Sequence, residues 1–220
     1  MKLFTVGHSN YSIEVFIALL QKHGVTALAD VRSHPYSRYL PHFNQARLKT
    51  ALLNAKIRYV FLGRELGARP SNPTCYVNGK ALYEKIAATE LFSDGIQRLL
   101  KGTETYKIAL MCAEKDPITC HRAILVCQHL RKFNLDISHI LKNGDLETHH
   151  HLEERLLNLH ELNLPKQPKA IQMSLFTNEV LSKSSINYQP REDLIKQAYK
   201  QQGNLIAYTE KQEKHYEQVS

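Results

Sequence analysis

The chain has 220 residues, 43% of them hydrophobic, which supports one well-cored domain plus a tail and is short for two full domains. Lys and Arg outnumber Asp and Glu by 29 to 21 and the pI is near 9.3, a balance that leans toward anionic partners such as nucleic acid or nucleotides. No apolar run approaches the roughly 20 residues of a membrane helix and "MKLFTVGHSN" turns polar too soon for a signal peptide, so no membrane partner and a cytoplasmic location are expected.

"KLFTVG" reads as a first strand, followed by "HSNYS" and by Ile13, Phe16, Ile17 and Leu20, whose spacing marks an amphipathic helix that Gly24 can end. "VTALADV" repeats the strand, the polar loop "RSHPYSRYLPHFN" follows, and Leu48, Ala51, Leu52 and Ala55 share a helical face with Asn44 as candidate N-cap. "IRYVFLG" is a third strand, and the Pro and Gly of "RELGARPSNPTCYVNG" forbid long regular structure. Helix is expected across 81–100, with a break near Ser93-Asp94-Gly95. "YKIALMC" is a fourth strand, "EKDPITCHR" its loop, and Ala123, Val126, Cys127 and Leu130 the stripe of the helix behind it. "LDISHIL" makes a fifth strand, and Leu152, Leu156 and Leu159 mark another helix that begins in the histidine run 149–151.

Strands alternating with helices imply an α/β fold, a mostly parallel sheet of about five strands with helices on both faces. The domain is expected to end at residue 162. Beyond it lie a Pro- and Lys-containing linker and a flexible or partly helical tail, with a helix around Glu192 to Gln201.

Loops leaving the carboxyl ends of such strands share one edge, and ligands bind there. That edge collects His8 and Ser9, then Asp30, Arg32, Ser37 and Arg38, and then Cys112, Glu114, Cys120, His121 and Arg122. Each residue also has an ordinary structural role open to it: Asp30 can cap a turn, His8 can be a satisfied histidine, Cys112 a small core hydrophobe, and Arg32 the partner of Asp30 or Glu114.

The stretch "CAEKDPITCHR" concentrates the chemistry. With Thr119 as N-cap, Cys120, His121 and Arg122 fall in the first helical turn, where free N–H groups and the dipole acidify a thiol. Four cysteines in a chain of this size make no disulfide framework, so thiol chemistry is local, and Cys120 is the better nucleophile candidate. The alternative is a divalent metal on Cys112, Cys120, His121 and His8, although seven residues between the cysteines is not a usual tight zinc spacing. A phosphatase-type loop is excluded because Ile118 stands where its arginine belongs. Walker, GxGxxG and HExxH patterns are absent from the sequence.

Taken together, "TVGHSNYS", "ADVRSHPYSRYLPHFN", "IRYVFLGRELGARP" and "LMCAEKDPITCHR" resemble the bacterial family called domain of unknown function 488, over roughly residues 1 to 145. The pattern falls on Gly7, His8, Ser9, Asp30, Arg32, Pro35, Ser37, Pro41, Phe43, Leu66, Gly67, Cys112, Glu114, Pro117, Cys120, His121 and Arg122, with Ala68 where members often show a second glycine. This resemblance implies a fold and a site without supplying a reaction. In the tail, "QMSLF" is similar to the peptide by which bacterial replication and repair proteins hold the sliding clamp, with Gln172 at the pocket rim and Leu175 and Phe176 as anchors.

These readings combine into an expectation of a DNA-associated enzyme of repair or modification, with hydrolase- or transferase-type chemistry on a phosphate-containing substrate. Asp30, Glu114 and His121 are the acid/base candidates, and Cys120 or Cys112 the nucleophile or ligand. Anion binding falls to His8, Ser9, Arg32, Ser37, Arg38 and Arg122. The rivals are a non-catalytic nucleic-acid or nucleotide adaptor and a metal- or thiol-dependent small-molecule enzyme.

Overall fold

The computed structural model describes residues 1–162 and 190–210. The linker and the clamp-like residues Gln172, Leu175 and Phe176 lie outside the described residues.

The fold is α/β. In chain order its elements begin with β1 (Lys2–Gly7), α1 (Ile13–Lys22), β2 (Ala27–Asp30), α2 (Gln45–Asn54), β3 (Arg58–Phe61) and α3 (Gly63–Leu66). They continue with β4 (Tyr76–Val77), β5 (Lys80–Ala81), α4 (Tyr83–Ala87), α5 (Glu90–Thr103), β6 (Ile108–Cys112) and a π-helical segment, Arg122–Cys127, that runs into α6 (Gln128–Leu130). The last are β7 (Asp136–Ile140), β8 (Leu146–Thr148), α7 (His149–Leu159) and α8 (Arg191–Ile206).

The central sheet has six strands in the order β3-β2-β6-β1-β7-β8, all parallel except the pairing of β7 with β8. Every residue of β6 is buried, as expected of an inner strand covered on both faces. Its side chains alternate accordingly. Ile108, Leu110 and Cys112 join a core with Phe92, Ile96 and Leu99 of α5 and Leu125 and Val126 of the π-helical segment. Ala109 and Met111 join the opposite core, with Phe16 and Leu20 of α1 and Leu48 and Leu52 of α2.

Because β6 inserts between β1 and β2, the carboxyl ends at Gly7, Asp30 and Cys112 become neighbours at a topological switch point. A Cβ on Gly7 would lie 1.8 Å from the Glu114 carbonyl oxygen, so only glycine lets the end of β1 and the loop after β6 come this close. This contact brings the first and fourth loops together.

Several local expectations are corrected. The sheet gains a sixth strand, β8, whose three residues are too few to carry a period. The loop expected to hold no long regular structure carries only short elements, α3 and the β4–β5 hairpin, turned by Asn78 and Gly79 at φ 50° and 74°, the positive values that a two-residue hairpin turn demands. The helix break falls at Ala88 and Thr89, with Thr89 capping α5. Gly95 lies inside that helix, where it makes room for Glu65 and Leu66 of α3. Asn44 occupies the N-cap position of α2, but its Oδ1 accepts from Ser37 N at 2.6 Å instead of from the helix.

The helix expected around Glu192 to Gln201 is present as α8, and it packs onto the domain. Leu194, Ile195, Ala198 and Tyr199 of α8 are buried with Ile118, Ile124, Leu156 and Leu157 in a third core, and Ala81 N donates to Tyr208 O at 2.9 Å. At roughly 1.5–3 kcal/mol per large apolar side chain buried, this docking is a substantial part of the fold's stability. Among the described residues no helix is long and apolar enough to cross a membrane.

Candidate active site

A cleft of about 340 Å³ opens over the carboxyl ends of β1, β2 and β6. His8, Arg32, Ser37, Cys112, Glu114 and His121 line it, together with Tyr36, Arg69, Tyr83 and Tyr208.

The floor is built from the last residue of β2. Asp30 is fully buried and its carboxylate takes Arg32 Nε at 2.9 Å and Nη2 at 2.7 Å, with the Tyr59 hydroxyl donating at 2.8 Å. Arg32 Nη2 also donates to Phe43 O at 2.9 Å. The sequence placed Asp30 among the acid/base candidates; the structure places it behind Arg32, as the anchor of a bidentate pair. His8 stacks on Phe43 at 4.3 Å between ring centroids. Its Nδ1 donates to Ser9 O at 2.9 Å, which leaves the Nε2 lone pair for Arg32 Nη1 at 3.4 Å. Burial, reinforced by the Arg32 charge, holds His8 down at about 4, so it is neutral at neutral pH and contributes a ring and a lone pair rather than a charge.

The opposite wall carries the cluster. Cys112 ends β6, and the chain then turns through Glu114 and a tight 3-10 turn, Pro117–Thr119, capped by Asp116, whose Oδ1 accepts from Ile118 N at 3.0 Å. Thr119 is therefore not the helix cap. Cys120 is extended and its carbonyl accepts from Ala123 N and Ile124 N, both at 3.1 Å, so the cysteine itself stands at the head of the helix. Both thiols donate to Glu114 Oε2 at 3.0 Å, and His121 Nδ1 lies 3.6 Å from Cys112 Sγ. His121 Nε2 is 3.0 Å from Val31 O, an oxygen that can only accept. One ring proton therefore sits on Nε2 and Nδ1 turns toward the thiols; burial opposes a second proton, but Cys120 and Glu114 outweigh it and raise His121 above its ordinary value, so that Nδ1 can share a proton with the cluster.

The two thiols differ in their environments. A hydrogen bond shared with Cys120, together with burial, holds Cys112 well above the ordinary thiol range. Burial alone would raise Cys120 too, but the Cys112 hydrogen bond, Arg122 and His121 outweigh it and hold Cys120 well below. Burial and the neighbouring Cys120 raise Glu114 above the usual carboxylate range. The more acidic thiol is also the more enclosed one: Cys112, Glu114 and His121 line the cleft, and Cys120 does not.

Arg122 departs from its expected role as an anion binder. It is fully buried, with Nη1 donating to Glu114 O at 2.7 Å, Nη2 to Lys115 O at 3.2 Å and Nε to Thr5 Oγ1 at 3.4 Å. It holds the loop in shape from behind. Ser9 and Arg38 lie outside the cleft lining, Ser9 Oγ donating to Asn10 and Arg38 standing exposed. Ser37 lines the cleft, its hydroxyl accepting from Leu40 N at 3.0 Å. Candidate ligand His8 is absent from the group of converging donor atoms, and Glu114 takes its place.

Tyr83, Ile206 and Tyr208 join the cleft lining from elements whose sequence carries no motif for a site. Tyr208 enters because α8 carries the chain back to the hairpin, where it packs under the Arg69 guanidinium at 4.4 Å. A polar tail gave no signal of that return.

Residues 12–128, more than half of the chain, match the family described as Domain of unknown function DUF488. No curated protein and no solved structure matches the chain.

Proposed function

We propose, for a chain that belongs to the DUF488 family, an enzyme that acts on a nucleic-acid strand at the carboxyl-edge cleft. One observation carries the reading. Cys112, Glu114 and His121, with Cys120 enclosed behind them, stand in the same cleft as Arg32 and Arg69, and the loop that forms one wall presents Tyr36 and Tyr39 at 70% and 88% exposure beside exposed Arg38. Guanidinium groups suit phosphate, exposed tyrosines on a basic loop suit unstacked bases, and the cluster supplies groups able to move a proton or attack. Glu114 is the acid/base residue, since Asp30 is committed to Arg32. The thiols serve as nucleophile or as ligands. Hydrolase- or transferase-type chemistry in DNA repair or modification fits these parts, and the basic composition favours the same partner.

The first test is fluorescence anisotropy with labelled single-stranded DNA and RNA at several salt concentrations. Binding that weakens with salt is expected, and each of Tyr36→Ala and Tyr39→Ala should weaken it roughly 5- to 150-fold, the worth of about 1–3 kcal/mol per stacked base. Absence of binding even at low salt would sink the reading. The clamp tether belongs to the same proposal: a peptide containing Gln172 to Phe176 should bind a bacterial sliding clamp in calorimetry, and a Phe176→Ala peptide should not.

A further inference from the structure

Four donor atoms, the sulfurs of Cys112 and Cys120, Nδ1 or Nε2 of His121 and a carboxylate oxygen of Glu114, lie within 4.8 Å of one another. A tetrahedral ion bound at roughly 2.0–2.3 Å separates its ligands by roughly 3.3–3.8 Å. The contacts of 3.0 Å from each sulfur to Glu114 and 3.6 Å from Cys112 Sγ to His121 Nδ1 are close to that, so a small outward movement would admit an ion.

The surroundings fit as well. His121 donates its outer ring N–H to Val31 O, the arrangement that orients metal-binding histidines, and this leaves Nδ1 as the inward donor. Arg122 pins the Glu114 and Lys115 carbonyls, fixing the loop between the cysteines. Two thiols and a carboxylate converge on one point, with the Arg122 guanidinium behind them hydrogen-bonded to those carbonyls and to Thr5. A thiol nucleophile fits less well, because Cys120 does not reach the cleft.

We propose that Cys112, Glu114, Cys120 and His121 together hold one divalent ion of the zinc class at the wall of the cleft. The soft sulfur donors with one imidazole select zinc over magnesium or calcium. Glu114 is the exposed member of the set, and Cys112, Cys120 and His121 are buried. Glu114 is thus the exchangeable ligand: where water or substrate took its place beside the three enclosed ligands, its carboxylate would be free for the acid/base role assigned above. The spacing of the cysteines hid this arrangement: the strand end, the loop and the helix head supply the ligands, and only the folded loop brings them together. The ion would be the cofactor of the cleft assigned above, yet its presence does not depend on the substrate named there.

The test uses the full chain without a polyhistidine tag. Elemental analysis of freshly purified protein should give about one zinc-class ion per chain. After chelation under reducing conditions, cobalt(II) titration should give thiolate-to-cobalt charge-transfer absorption with intense tetrahedral bands. Cys112→Ser and Cys120→Ser should each weaken cobalt binding beyond the roughly 10- to 100-fold that changes outside the ligand set cost. Cys127→Ser, which changes a buried thiol outside the set, should leave the charge-transfer bands in place. Should the cysteine variants fail to fold, Glu114→Gln, at an exposed position, should retain the native circular dichroism and bind cobalt more weakly. Wild-type protein that gives no thiolate–cobalt bands, or folded variants that bind cobalt as tightly as wild type, would overturn the inference. A metal-bound protein inert toward nucleic acid would defeat the proposed function alone, and a metal-free protein active on nucleic acid would defeat this inference alone.

Discussion

Acid should destabilise this protein through a buried histidine pair, and the size of the effect follows from one hydrogen-bonded chain. Arg122 Nε donates to Thr5 Oγ1, Thr5 to His139 Nδ1 at 2.8 Å, His139 Nε2 to His149 Nδ1 at 3.0 Å, and His149 Nε2 to the Tyr199 hydroxyl at 3.0 Å. Tyr199 donates onward to Glu153 at 3.1 Å. Every donor in this series points the same way, so each histidine is neutral with its proton on Nε2. Protonating His149 would place a second donor against His139 Nε2–H. Burial, with Arg131 nearby, lowers His149 to about 3 from an ordinary 6.5. Its folded value lies below its unfolded one, so the unfolded chain takes up the proton first. No stability is lost through this group above roughly pH 6.5, and the loss grows as pH falls toward 3. Between pH 7.5 and 4.5 it amounts to about 2.5 kcal/mol, at about 1.4 kcal/mol per pH unit. Burial and its neighbour hold His139 well below its ordinary value too, adding to the loss. Urea unfolding of wild type and His149→Gln across this range is the assay. Glutamine preserves hydrogen-bonding capacity but does not titrate, and loss of any bound ion at low pH affects both proteins alike. The wild type should lose about 2.5 kcal/mol more than the variant. Parallel pH profiles would refute the neutral-histidine chain.

Other perturbations read other parts of the account. Gly7→Ala should cost roughly 1–3 kcal/mol in urea unfolding, because its Cβ would meet the Glu114 carbonyl at 1.8 Å and push the loop outward. Arg122→Lys should cost about 3 kcal/mol by thermal or urea unfolding, since an ammonium cannot reproduce the fork onto Glu114 O and Lys115 O. Tyr199→Phe should cost about 1–2 kcal/mol by the loss of its contacts to His149 and Glu153.

The parts of the fold written in short-range pattern were legible in the sequence. Phe16 and Leu20 sit one helical turn apart and are both buried; the run "IALMC" is apolar throughout because β6 is covered on both faces. What was illegible depends on partners distant in sequence. The stripe of α8 is Leu194, Ile195, Ala198 and Tyr199, modest in hydropathy, and its burial depends on the surface offered by Ile124 and Leu156. Residues of the carboxyl edge were identifiable as a set, but not their division of labour. Arginine and aspartate two residues apart, as at Arg32 and Asp30, read equally as catalytic groups or as an anchored pair. Likewise, a basic residue beside two cysteines does not reveal that Arg122 faces backbone carbonyls. The order of Cys112, Glu114, Cys120 and His121 along the chain gives no ligand spacing, since a 3-10 turn sets their separation.

The most direct measurement is the fate of a 5′-labelled single strand, DNA and RNA in parallel, incubated with wild-type protein and with Glu114→Gln and followed by gel electrophoresis and intact mass. Wild type should change the length or mass of the strand, while the variant binds it and leaves it intact. Strands bound by the wild type and recovered unchanged in mass would contradict an enzyme and leave a non-catalytic adaptor.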